Sequence, residues 1–361
     1  MLTPEWRSAL LAWFAVEVRP LPWRRQYLPY QVWISEIMLQ QTQMERGVLY
    51  FERWLKRFPG VEAVASASEE EILHLWEGLG YYSRARNLQA AARLIVRDFG
   101  GRLPESLSAL LSLPGVGRYT ARAVLSIAFQ QDYAVVDGNV ERLFSRLFAI
   151  DEPVKSPLAQ ARIWGLADAL LPPGHARAWN QALMEFGAVV CTRGTPRCDR
   201  CPLTSWCESF RTGTTAKRPV RSGRQERVAV SFVAAVIVAQ GLVYVQQRPP
   251  TGLWASLWEF PGGQQEVGEL PVEAVLREVR EETEFVVALQ RPLPVFTHAY
   301  TRYQATLHPF LCRLPHPTQP ILHAAQAYRW LAAHELDTLA FSSGHRQVIA
   351  ALKRLGSELA A

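Results

Sequence analysis

Cysteine is scarce in this chain: five in 361 residues, four of them crowded between Cys191 and Cys207. A disulfide framework spreads its cysteines through a short secreted chain, so this distribution excludes that class and points first to metal. Long apolar runs are also missing. Near the start, Glu5, Arg7 and Glu17 bracket an apolar run of about seven residues, too short and too charged for a signal peptide or a membrane span. An amphipathic first helix, no membrane partner and a cytoplasmic location are expected. No internal repeat is visible. What remains, 49% hydrophobic and 20% charged residues over a length that suits about two domains, is ordinary for folded protein.

Charge is distributed unevenly. The first 227 residues hold 29 Lys/Arg against 22 Asp/Glu, whereas residues 228–361 hold 10 against 11. A basic half favours a polyanion such as nucleic acid, although a surplus this modest is also common on proteins that bind nothing charged. Texture divides the chain in the same place. Up to about residue 210, stretches such as "YQVWISEIMLQQTQMERGVLYFERWLKRF" repeat apolar residues at three- and four-residue spacing, the mark of helices. Residues 211–228, "RTGTTAKRPVRSGRQERV", are polar and basic and read as an exposed linker. Beyond it lie strand-like runs ("VAVSFVAAVIVA", "LVYVQQR", "ATLHPFLCRL"), a helix from about Pro271 to Thr283 and a terminal helix near "HRQVIAALKRL". The expected fold is therefore multidomain: all-α over 1–210, a linker over 211–228, and α+β over 229–361.

The four cysteines, Cys191, Cys198, Cys201 and Cys207, are spaced C-x6-C-x2-C-x5-C. Four thiolates in one loop suit a tetrahedral zinc or an iron–sulfur cluster, and only Cys198 and Cys201 make the paired C-x-x-C unit usual for zinc. The isolated Cys312 reads as core. In "LPGVGRYTA", Gly115 and Gly117 permit a sharp turn that presents N–H groups to an anion at the start of the next helix, a helix-hairpin-helix geometry. Asp137, in "VVDGNVERLF", precedes a helical pattern and suits an N-cap. Glu36, in "VWISEIMLQQTQ", has Val32 and Trp33 one turn before it and Leu39 one turn after. Held among apolar groups, its pKa would rise until it could deliver a proton near neutral pH; on the polar face of an amphipathic helix it would do nothing of the kind.

The cysteine spacing, the hairpin, and Asp137 placed seventeen residues after Thr120 together resemble the endonuclease III and MutY family of DNA glycosylases over about the first 210 residues, and the words around Glu36 resemble its MutY branch. The resemblance implies a [4Fe–4S] cluster on the 191–207 loop; Arg193, Arg197 and Arg200 on that loop read as phosphate-backbone contacts or as a solvated surface. It implies that Glu36 protonates adenine at N7 and that Asp137 faces the sugar, where a carboxylate stabilises the cation formed as the glycosidic bond breaks. Endonuclease III-like enzymes carry a strand-cleaving lysine where this chain has Tyr119, so a monofunctional glycosylase is expected, with Tyr119 and Asn139 shaping the pocket around sugar and water. Arg24 and Leu39 match adenine-pocket positions, Gln41 one that enters the gap in the base stack, Tyr81 one wedged beside the partner base, and Gly115 and Gly117 the hairpin's phosphate site. Arg84 and Arg86 read as phosphate contacts or a solvated face. The implied function is removal of adenine opposite 8-oxoguanine, and also opposite guanine, in double-stranded DNA, by a monomer acting at the nucleoid.

The second domain carries "LWEFPGGQQEVGELPVEAVLREVREETEF", which resembles a MutT-like Nudix box. Gly263, Glu269, Arg277, Glu278, Val279, Glu281 and Glu282 meet the pattern, and Glu284 stands where glycine is expected. Glu278, Glu281 and Glu282 form a set of hard oxygen ligands on one helix that suits Mg²⁺. A nucleotide pyrophosphohydrolase is therefore the rival reading, with Mg²⁺ not required for the preferred one. In the MutY family such a domain reads 8-oxoguanine, and Phe296, Thr297 and His298 resemble that family's Phe-Ser-His motif with threonine replacing serine. A lesion binder without catalysis is disfavoured by the presence of both Glu36 and Asp137.

Overall fold

The computed structural model describes residues 4–223, 228–300 and 303–355. The chain forms two compact units, Met1–Ser66 with Asn87–Arg224, and Ala67–Arg86 with Gln225–Ala361. No helix among the described residues is long and apolar enough to cross a membrane.

The first unit is helical. Helices α1 (Pro4–Glu17), α2 (Pro29–Met38), α3 (Met44–Arg57) and α4 (Val61–Ser66) precede α5 (Glu69–Trp76), which belongs to the second unit; α6 (Ser83–Phe99) leads back into the first. There follow α7 (Leu107–Leu111), α8 (Arg118–Ile127), α9 (Gly138–Leu147), α10 (Pro157–Leu170), α11 (Ala176–Val189) and the short α12 (Glu208–Arg211). The expected amphipathic first helix is present. Trp6, Leu10 and Phe14 recur every fourth residue and are buried in one core with Phe144, Trp179 and Phe186, where the Trp6 and Trp179 rings meet edge to face at 5.1 Å. Helix α2 departs from the amphipathic pattern, because every residue from Val32 to Met38 is buried, Ser35 and Glu36 included.

The second unit is built on one sheet in the order β3-β2-β1-β6-β4, with β5 also pairing β6 and β7 pairing β2. Its strands are β1 (Val228–Ala239), β2 (Leu242–Gln247), β3 (Trp258–Glu259), β4 (Ala288–Pro292), β5 (Phe296–Tyr300), β6 (Tyr303–Arg313) and β7 (Ala327–Ala332). Side chains alternate across a strand, and both faces of β1 are covered. Val233, Ala235 and Ile237 pack with Ala274, Val275 and Val279 of α13 (Pro271–Thr283), while Ala234, Val236 and Val238 pack with Val348, Ile349 and Leu352 of α14 (Ser343–Leu355). Double coverage explains why β1 reads as a continuous apolar run, and it pairs with β6 in parallel from Val228↔Tyr303 to Val238↔Arg313. Cys312 lies buried in this core.

Two features are invisible to composition. Residues 67–86 lie inside the helical sequence yet group with the sheet. The first half of the 211–228 stretch is mostly exposed, as expected, but it is tied into the first unit: Val154 N donates to Val220 O at 2.9 Å, Arg146 Nε reaches the carbonyls of Thr215 and Arg218 at 3.1 Å each, and a buried Arg218 pairs with Asp151. Of the described arginines in this stretch Arg218 is buried and paired, whereas Arg211 and Arg221 are exposed. Residues 224–227 of that stretch lie outside the described residues.

Candidate active site

Three helices of the first unit converge on Glu36. Helix α2 supplies the carboxylate. Helix α8 starts at the hairpin: Gly115 adopts φ +73°, and a Cβ there would sit 2.8 Å from Asn87 Cβ, so both conformation and space call for glycine. Gly117 is the N-cap of α8 and supplies no side-chain cap, leaving the first-turn amides open to an anion. Tyr119, in that first turn, donates its hydroxyl to Glu36 Oε2 at 2.6 Å and touches Met184 Sδ at 3.7 Å. Helix α11 supplies Met184 and Glu185.

Glu36 is 8% exposed, and burial is the main reason its pKa climbs to about 7; the charge of Asp137 adds to the rise, while Tyr119's hydrogen bond and, more weakly, Arg24 oppose it. Asp137 caps α9 as its sequence position suggested. Oδ1 accepts from Asn139 N at 2.9 Å and Val140 N at 2.8 Å, and Oδ2 accepts from Asn139 Nδ2 at 2.7 Å. Burial lifts its pKa too, but three donated bonds and Arg142 favour its anion. Glu36 receives a single hydroxyl donor, so of the two carboxyls it is the one that keeps a proton most readily. Burial and both neighbouring carboxylates hold Tyr119 well above the usual phenol range, which keeps it a donor.

Several site residues were not singled out by the sequence. Glu185, almost fully buried, takes Arg24 Nη2 at 2.9 Å and also the guanidinium of Arg19; burial raises its carboxyl, but the two arginines outweigh that and hold it below the usual range. Its signal was present, a lone acid in the apolar run "ALMEFGAVV". Arg142 donates to Asn139 Oδ1 at 2.8 Å, Gly187 O at 2.6 Å and Cys191 O at 2.7 Å, which ties the Asp137 turn to the start of the cysteine loop. Gly187 makes that approach possible, since a Cβ there would lie 2.7 Å from Asn139 Cβ. At the end of α2, Leu39 lies against Gly47, Gln40 bonds Thr120 Oγ1 at 3.3 Å, and Gln41 is exposed with a left-handed φ of +58°. Tyr81 belongs to the second unit, is exposed, and has φ +48°. Arg84 and Arg86 are partly buried and have protein partners: Arg84 bonds the carbonyls of Leu79 and Gly80, and Arg86 bonds Ala255 O at 2.6 Å.

Cys191, Cys198, Cys201 and Cys207 are free and line one cavity with Leu143, Leu147, Phe186 and Leu203. Arg146 donates to Cys191 Sγ at 3.3 Å, and Cys207 Sγ lies 3.5 Å from Arg146 O. Four thiols around one cavity, with a guanidinium on one sulfur, fit a thiolate-bound group with net negative charge. Among the described residues no three His, Cys, Asp or Glu side chains are gathered so as to grip a single ion.

In the second unit the Nudix-like carboxylates are engaged internally. Arg277 takes Glu269 with two bonds of 2.8 and 2.9 Å, Glu278 at 2.9 Å and Glu281 at 3.1 Å. Glu282 Oε2 accepts from Gly262 N and Gln246 Nε2, both at 2.9 Å, and burial, reinforced by Glu259, pushes its pKa to about 8. Gly263 leaves room for the Glu278 carboxylate, which a Cβ would strike. Glu284 sits in the left-handed C-cap of α13, φ +59°, where glycine is free and glutamate is strained by about 1 kcal/mol. The Phe296-Thr297-His298 stretch lies on β5, so Phe296 and His298 share a face while Thr297 points the other way and is exposed. Phe296 packs on the core; His298 is half-buried, lies within 3.3 Å of a Cβ position on Gly344, and has an Nδ1 without a hydrogen-bond partner.

Comparison with known proteins places two stretches of the chain in known families. Residues 34–166 match the HhH-GPD superfamily base excision DNA repair protein family, and residues 233–351 match the NUDIX domain. The chain is 35% identical to human adenine DNA glycosylase over 95% of its own length and 73% of that protein, and 32% identical to a Buchnera aphidicola adenine DNA glycosylase over 72% and 74%. Among solved structures it is similar to a thermostable thymine-DNA glycosylase, with TM-score 0.53 and 30% identity over 58% of this chain and 96% of that one.

Proposed function

This chain belongs to the adenine DNA glycosylase family and is a DNA N-glycosylase of base excision repair, and we propose that it removes adenine paired with 8-oxoguanine, and with guanine, from double-stranded DNA. The observation that carries this reading is the buried Glu36, held by one hydroxyl donor and titrating near pH 7 beside a carboxylate with three donated bonds, Asp137.

In its acid form Glu36 gives its proton to N7 of the flipped adenine, and the C–N bond electrons leave with the base. Positive charge develops on the sugar, and Asp137, held anionic by its three donors, stabilises it. Water adds at the same carbon, and its proton returns to the carboxylate pair. Tyr119 has no amine to form a Schiff base, so the product is an abasic site in an uncut strand; Tyr119 and Asn139 fix the two carboxyls. Glu185 holds Arg24 for the adenine, whose pocket Leu39 also lines, while Gln41 and Tyr81 occupy the opened stack, and the Gly115–Gly117 hairpin takes a phosphate. The four cysteines would hold a [4Fe–4S] cluster, which when bound would cross-link the 191–207 loop. On the second domain Thr297, exposed on β5, bonds 8-oxoguanine or its phosphate, with Phe296 and His298 supporting the strand. Arg277's occupation of three carboxylates favours a scaffold role for the Nudix-like box over Mg²⁺-dependent hydrolysis.

Single-turnover release of adenine from duplexes carrying one adenine opposite 8-oxoguanine or opposite guanine, by the intact protein and by Glu36→Gln, tests the reading. Release that collapses in the variant while duplex affinity persists is expected; equal rates in both proteins, or strand cleavage without heat or alkali, would overturn it.

A further inference from the structure

The turn that carries Tyr81 is held in a conformation the chain does not favour. In "WEGLGYYSRAR", Gly78, Gly80 and Tyr81 all have positive φ, at +93°, +72° and +48°. For a residue with a Cβ this costs about 1–2 kcal/mol, so something must hold it. Part of the hold is local. Trp76 Nε1 donates to Gly80 O at 3.1 Å, Arg84 Nη2 donates to Gly80 O at 3.1 Å and Leu79 O at 3.2 Å, and the Arg84 guanidinium lies 5.3 Å from the Trp76 ring centre and 5.7 Å from that of Tyr81.

The rest comes from the C-terminal sheet domain, with which residues 67–86 form one compact unit. On one side of Tyr81, Glu77 receives Arg346 of α14 through two parallel bonds, Nη2 to Oε2 at 2.7 Å, while Arg346 is itself fixed by Leu339 O at 2.6 Å and Asp337. On the other side, the Tyr82 hydroxyl bridges: it accepts from Gly78 N at 3.5 Å and donates to Phe341 O at 3.0 Å. One turn further on, Arg86 donates to Ala255 O at 2.6 Å. Ties to three separate points of the sheet domain thus flank a single strained, exposed aromatic residue. A packing contact alone would not need charged and hydroxyl groups paired on both sides of it.

We propose that the C-terminal domain, through Arg346–Glu77 and Phe341–Tyr82, sets the conformation of the Tyr81 turn, and that Glu77 and Tyr82 are positioning residues for Tyr81 in DNA recognition. The domain then does more than read a lesion: it shapes an element that lies within the glycosylase portion of the sequence. The proposal rests on the reading of Tyr81 as a DNA-contacting residue, and its structural half stands without that reading.

The test uses the full-length protein with Glu77→Gln and Tyr82→Phe, singly and together, each alone and combined with Tyr81→Ala. Hydrogen exchange at residues 78–82 reports the turn. Affinity for a duplex with an uncleavable adenine analogue opposite 8-oxoguanine reports recognition. The double variant is expected to exchange at least tenfold faster in the turn with an unchanged melting temperature, and to bind roughly fivefold more weakly, the binding loss vanishing when Tyr81 is already alanine. Unchanged exchange in the turn would overturn the positioning role. Faster exchange with a binding loss that persists in the Tyr81→Ala background would overturn the route through Tyr81. Faster exchange with Tyr81→Ala itself binding normally would sink the reading of Tyr81 as a DNA contact and leave the structural tie intact.

Discussion

Two carboxylate clusters, one in each unit, arise from different sequence patterns and end with different hydrogen-bond partners. Around Glu36 the acid is buried and bonded by one neutral hydroxyl, and the guanidinium nearest to it, Arg24, is held by Glu185. Around Glu282 the acid is also buried and its pKa is also raised, yet a backbone N–H and an amide occupy it, and Arg277 takes three of its neighbours. A raised pKa marks both; they differ in their partners, one hydroxyl donor on Glu36 against an amide and a backbone N–H on Glu282. The lesson is that a functional carboxylate is recognised by what has not been used to satisfy it.

The largest effect that would sharpen the contrast is chemical. Glu36→Gln is expected to slow adenine release by about 10²–10⁴, the usual contribution of a positioned acid, whereas Glu281→Gln with Glu282→Gln should leave the single-turnover rate within about twofold. Loss of adenine release in the second variant, or its loss of a Mg²⁺-dependent hydrolysis of oxidised guanine nucleotides present in the parent, would break the comparison. Next comes Asp137→Asn. Asparagine caps a helix about as well as aspartate, so stability should fall by less than about 1 kcal/mol while release slows by roughly 10²-fold, which separates the cap from the charge.

Acidity supplies a third test. Catalysis needs the protonated form of Glu36, so the single-turnover rate should fall about tenfold per pH unit above pH 7. The same raised pKa has a stability consequence of definite sign. The folded state binds this proton more tightly than the unfolded chain, so the contribution is intact below the ordinary value of 4.5 and is lost as pH rises through about 7. Thermal or denaturant unfolding should therefore find Glu36→Gln more stable than the parent by up to about 3 kcal/mol at pH 9, with little of that gain at pH 4. Equal stabilities at both ends would mean that Glu36 is better solvated than its surroundings indicate. The smallest effect concerns the departure from the Nudix pattern: Glu284→Gly relieves a left-handed glutamate and loses only an exposed contact with His323, for a net gain of about 0.5–1 kcal/mol in denaturant unfolding, without any gain in nucleotide hydrolysis.

Much of the site was legible because its chemistry is local. Asp137 as an N-cap, the glycines of the hairpin and helix α13 over Pro271–Thr283 each follow from a few adjacent residues and their dihedral demands. Burial of Glu36 was one of two open readings, since a helix with apolar residues on several sides does not say whether its acid meets solvent; only the packing around α2 decided it. Glu185, Arg19 and Arg142 were missed for a related reason. Each is an ordinary charge in sequence, and its role comes from a partner 45 to 166 positions away.

By itself the sequence determined which groups could act: four thiols in one loop, one carboxyl within a helix and another at a helix start, a tyrosine where an amine would have cut the strand, and a β-strand apolar enough to be covered on both faces. The tertiary structure decided which of them remain free to act. It spent Arg277 on three carboxylates, gave Glu36 a single donor, drew half of a basic stretch into the first unit, and joined residues 67–86 to the sheet domain. Propensity and capping act over a few residues and are written there, whereas desolvation and hydrogen-bond competition depend on neighbours that only the folded chain brings within reach.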